Sequence, residues 1–232
     1  MTPRRAFRRG FVHGLPFLVI LVPFAMLFGV AATEAGLNLA QIMGFSVLVI
    51  AGAAQFTAVQ LIQDHAPALV VLAASLAVNL RMAMYSAALV PYVGAAPMWQ
   101  RAIIAYFNVD QTYALAQAEF DRAPDAPLAV KTAYFFGIAS SVCVPWYFFT
   151  WLGAEFGTRI PPSFALDFAV PIAFLGIIAP ALRTPAHIAA ALTSMVLALA
   201  LAWLPTGVGL LAAAMAAMHV GARVETWLEA RR

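Results

Sequence analysis

Apolar segments about as long as a membrane is thick fill most of this 232-residue chain. A helix needs about 20 predominantly apolar residues to cross the hydrocarbon core of a bilayer. Eight segments meet or nearly meet that length, and short connections rich in turn-forming residues separate them. We therefore predict an all-α, polytopic transmembrane bundle of about eight spans with kinked or broken helices, in one integral-membrane domain over residues 1–232. The predicted spans are 11–32, 41–62, 68–92, 101–120, 132–152, 164–182, 186–204 and 207–220.

The scarcity of charge excludes a water-soluble fold. Only 10% of the residues are charged and 64% are hydrophobic, whereas soluble domains carry roughly 25% charged residues. The formal net charge of +3 does not indicate a nucleic-acid partner, because the basic residues lie at the ends of predicted spans. This composition predicts that membrane lipid surrounds the protein.

The distribution of basic residues predicts that both termini are cytoplasmic. Residues 1–10 form a basic segment, and the apolar run 11–32 that follows is too long for the core of a cleaved signal peptide. With eight spans, most arginines and the single lysine fall on the side of the N-terminus, as the positive-inside rule requires, and only Arg101 and Arg159 fall outside. The segment 207–220 is short enough to be re-entrant, but the charge distribution favours a crossing.

Two opposite charges lie near the middle of neighbouring predicted spans. Arg81 is in the third span and Asp110 is in the fourth. Each costs roughly 2.5–3.5 kcal/mol at the centre of a membrane helix, and pairing them reduces both costs. We predict that they pair. Such a pair either locks two antiparallel helices together or belongs to a transport site.

Asparagines precede both charges by two residues. In a regular helix, Asn79 and Arg81 point to nearly opposite faces, and so do Asn108 and Asp110. Either one member of each couple faces another helix or a partner, or the helix is unwound there. Broken helices at the midplane are a recurrent device for substrate sites in transporters.

Two further polar residues complete the candidate set. Gln55 follows the small residues Gly52, Ala53 and Ala54, so its amide either bonds across helices or meets a substrate. Asp167 lies near the outer end of the sixth span, where it either caps a helix or joins the site. The candidate substrate-binding residues are Gln55, Asn79, Arg81, Asn108, Asp110 and Asp167.

Motifs for enzymatic chemistry, metal binding and nucleotide binding are missing from the sequence. The histidines lie near span ends without a ligand cluster, and Walker A and dinucleotide-binding motifs do not occur. We expect neither an enzyme nor a cofactor or metal. Active transport by this chain would draw on an ion or proton gradient, or on a separate motor.

Four short motifs follow one another along the chain. They are Gly52-Ala53-Ala54-Gln55-Phe56, Asn79-Leu80-Arg81, Asp110 followed by Tyr113-Ala114-Leu115, and Leu166-Asp167-Phe168 with Pro171 and Phe174. Together they resemble the AzlC family, the large subunit of branched-chain amino acid exporters, over about residues 11–225. The sequence departs from the family pattern at Met82, Val109 and Gln111. Because Gln111 replaces a carboxylate, a proton-coupling role does not carry over to that position.

The resemblance implies an export permease that works with a small AzlD-like membrane subunit in a prokaryotic inner membrane. We therefore expect a secondary transporter that exports leucine, isoleucine, valine or other hydrophobic amino acids from the cytoplasm. Two alternatives remain open from the residues themselves. One is a passive channel, and the other is a membrane subunit that assembles with a partner without transporting.

Overall fold

The computed structural model describes residues 1–156, 182, 184–204 and 208–230. In these residues all regular structure is helical, which confirms the predicted all-α membrane-type fold. The predicted span 164–182, with Asp167, lies almost entirely outside the described residues. The helices are α1 Pro3–Gly14, a 3-10 turn Leu15–Phe17, α2 Leu18–Glu34, α3 Leu39–Leu48, α4 Gly52–Gln63, α5 Ala68–Val93, α6 Met98–Tyr106, α7 Asp110–Arg122, α8 Leu128–Phe156, α9 Pro185–Ala200 and α10 Val208–Glu229.

Three helical segments in the described ranges are long and apolar enough to cross a membrane. They are Pro3–Glu34, which joins α1 and α2 through the turn at Pro16, then Ala68–Val93 and Leu128–Phe156. The helices α3 and α9 are apolar but shorter. Residues 1–156 therefore hold three long apolar helices where the sequence predicted five spans.

The chain divides into two compact units. The first comprises Met1–Phe56 and Ser75–Pro161, and the second comprises Thr57–Ala74 and Pro162–Arg232. The single domain over 1–232 stays a prediction. In the second unit, α9 and α10 pack through small residues. Ala213 and Ala217 are buried, and a Cβ added at Gly221 would lie 3.1 Å from that of Ala190.

In the first unit, α1 and α2 run parallel to α8 at very close range. A Cβ added at Gly10 would lie 2.1 Å from the carbonyl oxygen of Tyr134, and one added at Gly153 would lie 2.1 Å from that of Met26. Residue numbers thus increase together along the two packed segments, so the segments run in the same direction. Glycines permit this approach because small residues let helix backbones come together. This common direction agrees with the prediction, in which the first and fifth spans cross the membrane in the same direction.

The second predicted span, 41–62, is a hairpin of two half-helices. A capping box between Asn38 and Gln41 starts α3, and the helix is interrupted at residues 49–51. The Gln55 amide then donates to the Ser46 hydroxyl at 2.9 Å. In a straight helix, residues nine positions apart are separated by about 14 Å along the axis, so the beginning of α4 must turn back towards α3.

Aromatic contacts confirm this first hairpin. Phe45 on α3 and Phe56 on α4 both contact the ring of Phe28, with centroid distances of 6.1 and 5.6 Å. In an unbroken helix, an eleven-residue separation would place them about 16 Å apart along the axis.

The fourth predicted span, 101–120, is a second hairpin. The helix is interrupted at residues 107–109, and α7 then runs parallel to α5. Arg81 pairs with Asp110, the ring of Tyr85 stacks on that of Tyr113 at 4.2 Å, and the Tyr92 hydroxyl donates to Asp121. Residues further along α5 therefore contact residues further along α7.

The prediction that 101–120 forms one crossing antiparallel to the third span was wrong. Its apolar length suits a single span, but length does not reveal a turn in the middle. The half-helices α6 and α7 have 9 and 13 residues, which span about 14 and 20 Å and fall short of a bilayer core of about 30 Å. This segment enters from one side and returns to it.

This topology predicts which positions share a membrane face. In a Cys143→Ala background, cysteines introduced at Ala95 and Asp125 should react with an impermeant thiol reagent from the same face, because they flank the second hairpin. A cysteine at Glu34, at the other end of α2, should react from the opposite face. Labelling of Ala95 and Asp125 from opposite faces would show that α6 and α7 cross the membrane.

Candidate functional site at the meeting point of the hairpins

The turns of the two hairpins, at residues 49–51 and 107–109, both lie in the first unit and meet there. The second hairpin opens at the end of the unit where Arg9 and Glu119 form a salt bridge of 2.9 Å. We call this end the Arg9 end. The first begins at Leu39, close to the end of α2 at Glu34, called the Glu34 end. At the turns, the Tyr106 hydroxyl donates to the carbonyl oxygen of Val47 and lies 2.8 Å from the Tyr147 hydroxyl.

The side chain of Thr112 adds to the backbone hydrogen bonds at the second turn. The Thr112 hydroxyl lies 2.7 Å from the carbonyl oxygen of Phe107 and 2.8 Å from that of Val109. Both carbonyls also accept from backbone N–H groups, that of Phe107 from Val109 and that of Val109 from Tyr113, so Thr112 adds a second contact at each. α7 then begins at Asp110, whose negative charge suits the positive end of the helix dipole.

The predicted pairing of Arg81 with Asp110 is confirmed. Arg81 Nη1 lies 3.0 Å from Asp110 Oδ2, with 32% of the arginine side chain and 42% of the aspartate side chain exposed. Two further atoms of the pair, Arg81 Nε and Asp110 Oδ1, are buried without a hydrogen-bond partner in the described structure. The pair thus retains a buried donor and a buried acceptor that no described group satisfies.

Asn108 lies in the turn itself, fully buried. Its amide nitrogen donates to the Ser86 hydroxyl at 3.3 Å, and its Oδ1 has no partner in the described residues. Because the helix is unwound here, Asn108 and Asp110 both face α5 despite their two-residue spacing. The sequence left open whether the helix is unwound at each asparagine–charge couple. It is unwound at Asn108 and Asp110, whereas α5 is continuous through Asn79 and Arg81.

Gln55 lies in the first hairpin, also fully buried. Its bond to Ser46 spans the turn, which matches the predicted role in joining helices, while its Oε1 has no partner in the described part of the chain. Asn79 Oδ1 is likewise buried and unpartnered. Asp167 lies outside the described residues.

Five of the six candidate residues thus carry a buried polar atom that the described structure leaves unsatisfied. These atoms are Gln55 Oε1, Asn79 Oδ1, Arg81 Nε, Asn108 Oδ1 and Asp110 Oδ1. A buried polar group without a partner costs about 1–3 kcal/mol, so such groups are usually matched by a ligand or by water. Arg81 and Asp110 are paired and Asn108 lies two residues before Asp110, so these three residues can together receive a small polar ligand.

A network of charged residues lies at the Arg9 end. Glu119 accepts from Arg9 and lies 3.6 Å from Arg122, while the Lys131 ammonium donates to the carbonyl oxygen of Pro124 at 2.5 Å. At the end of α7, outside the predicted spans, hydrogen bonds from Tyr92 and Gln117 lower the pKa of the Asp121 carboxyl. These contacts join the ends of α1, α5, α7 and α8.

Sequence reasoning missed several residues that build this site. Ser46, Ser86, Tyr106 and Thr112 are ordinary polar residues in apolar segments, and only their partners give them a role. Polar groups in predicted spans were a usable signal, but their pairing depends on two turns that length and hydropathy do not locate. No group of three or more potential metal-ligating residues occurs among the described residues.

Comparisons with known proteins place the chain among membrane proteins. A model of the family described as "AzlC protein" matches residues 16–160. The chain is also similar to an "Uncharacterized membrane protein" of Archaeoglobus fulgidus, at 28% identity over 217 residues, covering 90% of this chain and 91% of the relative. No solved structure matches.

The ion pair predicts coupled effects of substitution. Arg81→Met and Asp110→Leu should each lower the free energy of unfolding by about 1–3 kcal/mol, because each leaves a charged group without its partner. The double variant should recover part of that loss, as a thermal unfolding series in detergent would measure. A double variant that loses the sum of the two single effects would show that the residues do not interact.

Proposed function

The chain belongs to the AzlC family of membrane proteins, and from that premise we propose that it is a secondary transporter that exports branched-chain or other hydrophobic amino acids from the cytoplasm. The observation that carries this proposal is the set of unpartnered polar atoms near the turns of two broken helices. Transporters place substrate sites where helices are discontinuous near the middle of the membrane.

The unpartnered atoms match the head group of an amino acid. Asn108 and Asp110 each offer an oxygen that accepts a hydrogen bond, and an ammonium group has three donors to give. Arg81 Nε offers a donor, and guanidinium groups bind carboxylates well. In this proposal the ammonium group binds among the oxygens, and the carboxylate binds at Arg81.

The proposed assembly includes a small AzlD-like membrane subunit. This requirement rests on the family resemblance and not on a feature of the described residues. The chain supplies the broken helices and the polar atoms, and the partner completes the transporter within the membrane.

The proposed location is a prokaryotic inner membrane, with both termini and the Arg9 end in the cytoplasm. The second hairpin supports this orientation, because it moves the start of α6 to the same side as the start of α1. Arg101, which the eight-span prediction left outside, then joins the cytoplasmic side, as the positive-inside rule favours. The basic residues assigned there within the first unit are Arg4, Arg5, Arg8, Arg9, Arg101, Arg122 and Lys131.

The function predicts export that depends on both subunits. Cells that lack their own branched-chain exporters, loaded with a leucine-containing dipeptide, should release leucine when they express this chain with its small partner. The chain alone should not release it. Equal release by the chain alone would remove the partner requirement, and no release with both proteins present in the membrane would refute the substrate.

Two controls separate the alternatives. In proteoliposomes, a carrier shows uptake of labelled leucine that unlabelled leucine on the opposite side accelerates, whereas a channel does not. Asp110→Asn should abolish export while the two-subunit complex still assembles and is purified intact. Unchanged export by that variant would argue that Asp110 has no part in transport.

The orientation predicts labelling in intact cells. In the Cys143→Ala background, cysteines at Thr2 and Glu229 should be protected from an impermeant thiol reagent, and a cysteine at Glu34 should react. After permeabilisation all three should react, which controls for accessibility. Reaction at Thr2 in intact cells would reverse the proposed orientation.

A further inference from the structure

A half-open cavity lies between the second half of α5 and the half-helix α6. Its volume is about 150 Å³. The walls are mostly aliphatic, and polar groups are confined to its two ends. It is lined by Ser86, Leu89, Val90, Val93, Gly94, Arg101, Ile104, Ala105 and Asn108.

The cavity connects the Arg9 end with the turn of the second hairpin. Arg101, one turn into α6, is exposed and forms no salt bridge in the described part of the chain. Asn108 marks the other end, fully buried, with its Oδ1 free of any described partner. The cavity therefore reaches from the exposed cation of Arg101 to the buried Asn108 in the turn of the second hairpin.

The size and walls of the cavity define what it can hold. A cavity of about 150 Å³ lined by aliphatic side chains accommodates one benzene-sized apolar group. The side chains of leucine, isoleucine, valine and phenylalanine fall within that limit. Pockets of this kind take an apolar group on their walls and orient it by a few polar atoms.

We propose that this cavity is the side-chain pocket of the transporter, open to the Arg9 end, and that it selects amino acids whose apolar side chain is no larger than a phenyl group. This inference rests on the proposed export function. The substrate's ammonium group binds Asn108 Oδ1 at the inner end, next to Asp110 in the chain. Arg101 at the outer end presents a positive charge to the carboxylate of an arriving amino acid.

Filling the cavity tests the proposal. Ala105 is exposed and lines the cavity, so Ala105→Phe adds a phenyl ring there without displacing the buried core. Ala102 is exposed on the same helix and does not line the cavity, so Ala102→Phe is the matched control. Leucine should raise the thermal unfolding temperature of the purified wild-type complex and of Ala102→Phe, but not that of Ala105→Phe.

Transport should follow the same order. We expect Ala105→Phe to raise the KM for leucine at least about tenfold, the scale on which apolar pockets discriminate, and Ala102→Phe to leave it unchanged. Val90→Ala, which widens the cavity at an exposed position, should raise transport of phenylalanine relative to leucine.

The outcomes separate the pocket from the function. If Ala105→Phe and Ala102→Phe show the same leucine stabilisation and the same KM while the wild type exports leucine, the assignment of the pocket is wrong and the export function stands. If leucine stabilises the wild type but not Ala105→Phe, and no amino acid is exported, the pocket stands and the export function is wrong. If leucine does not stabilise the wild-type complex, the pocket is refuted.

Discussion

Every backbone polar group within a membrane needs a partner, because the hydrocarbon core offers no water to replace one. This constraint governs the two places where the helices of the first unit are interrupted. The carbonyls of Phe107 and Val109 accept from backbone N–H groups and also from the Thr112 hydroxyl, and Tyr106 donates to the carbonyl of Val47 in the other hairpin. The two turns are therefore tied to each other as well as to their own helices.

At the two turns, backbone carbonyls have hydrogen-bond partners, whereas several side-chain polar atoms do not. The carbonyls of Val47, Phe107 and Val109 are matched at the turns, whereas polar atoms of Gln55, Asn108 and Asp110 are left unmatched. Unmatched buried atoms lower stability, and those of Asn108 and Asp110 lie two residues apart at the second turn, where a bound ligand would satisfy them. We place the head group of the proposed substrate there, and its side chain in the adjoining aliphatic cavity.

The Arg9 end has a structural role that is distinct from this site. Glu119 joins α1 to α7 through Arg9, and Lys131 joins α8 to the connection that precedes it. These contacts bring the end of α5 and the end of α7 to one face. They thereby hold the end of α7, the second arm of the second hairpin, against α1.

The sequence by itself determined the fold class, the membrane environment, the family and the pairing of Arg81 with Asp110. Each follows from composition, from motifs, or from the cost of an unpaired charge at depth. Only the tertiary structure decided that 41–62 and 101–120 are hairpins. A stretch of about 20 apolar residues satisfies the bilayer equally as one helix or as two halves. The choice depends on distant partners such as Tyr106 for Val47 and Tyr92 for Asp121, which hydropathy along the chain does not encode.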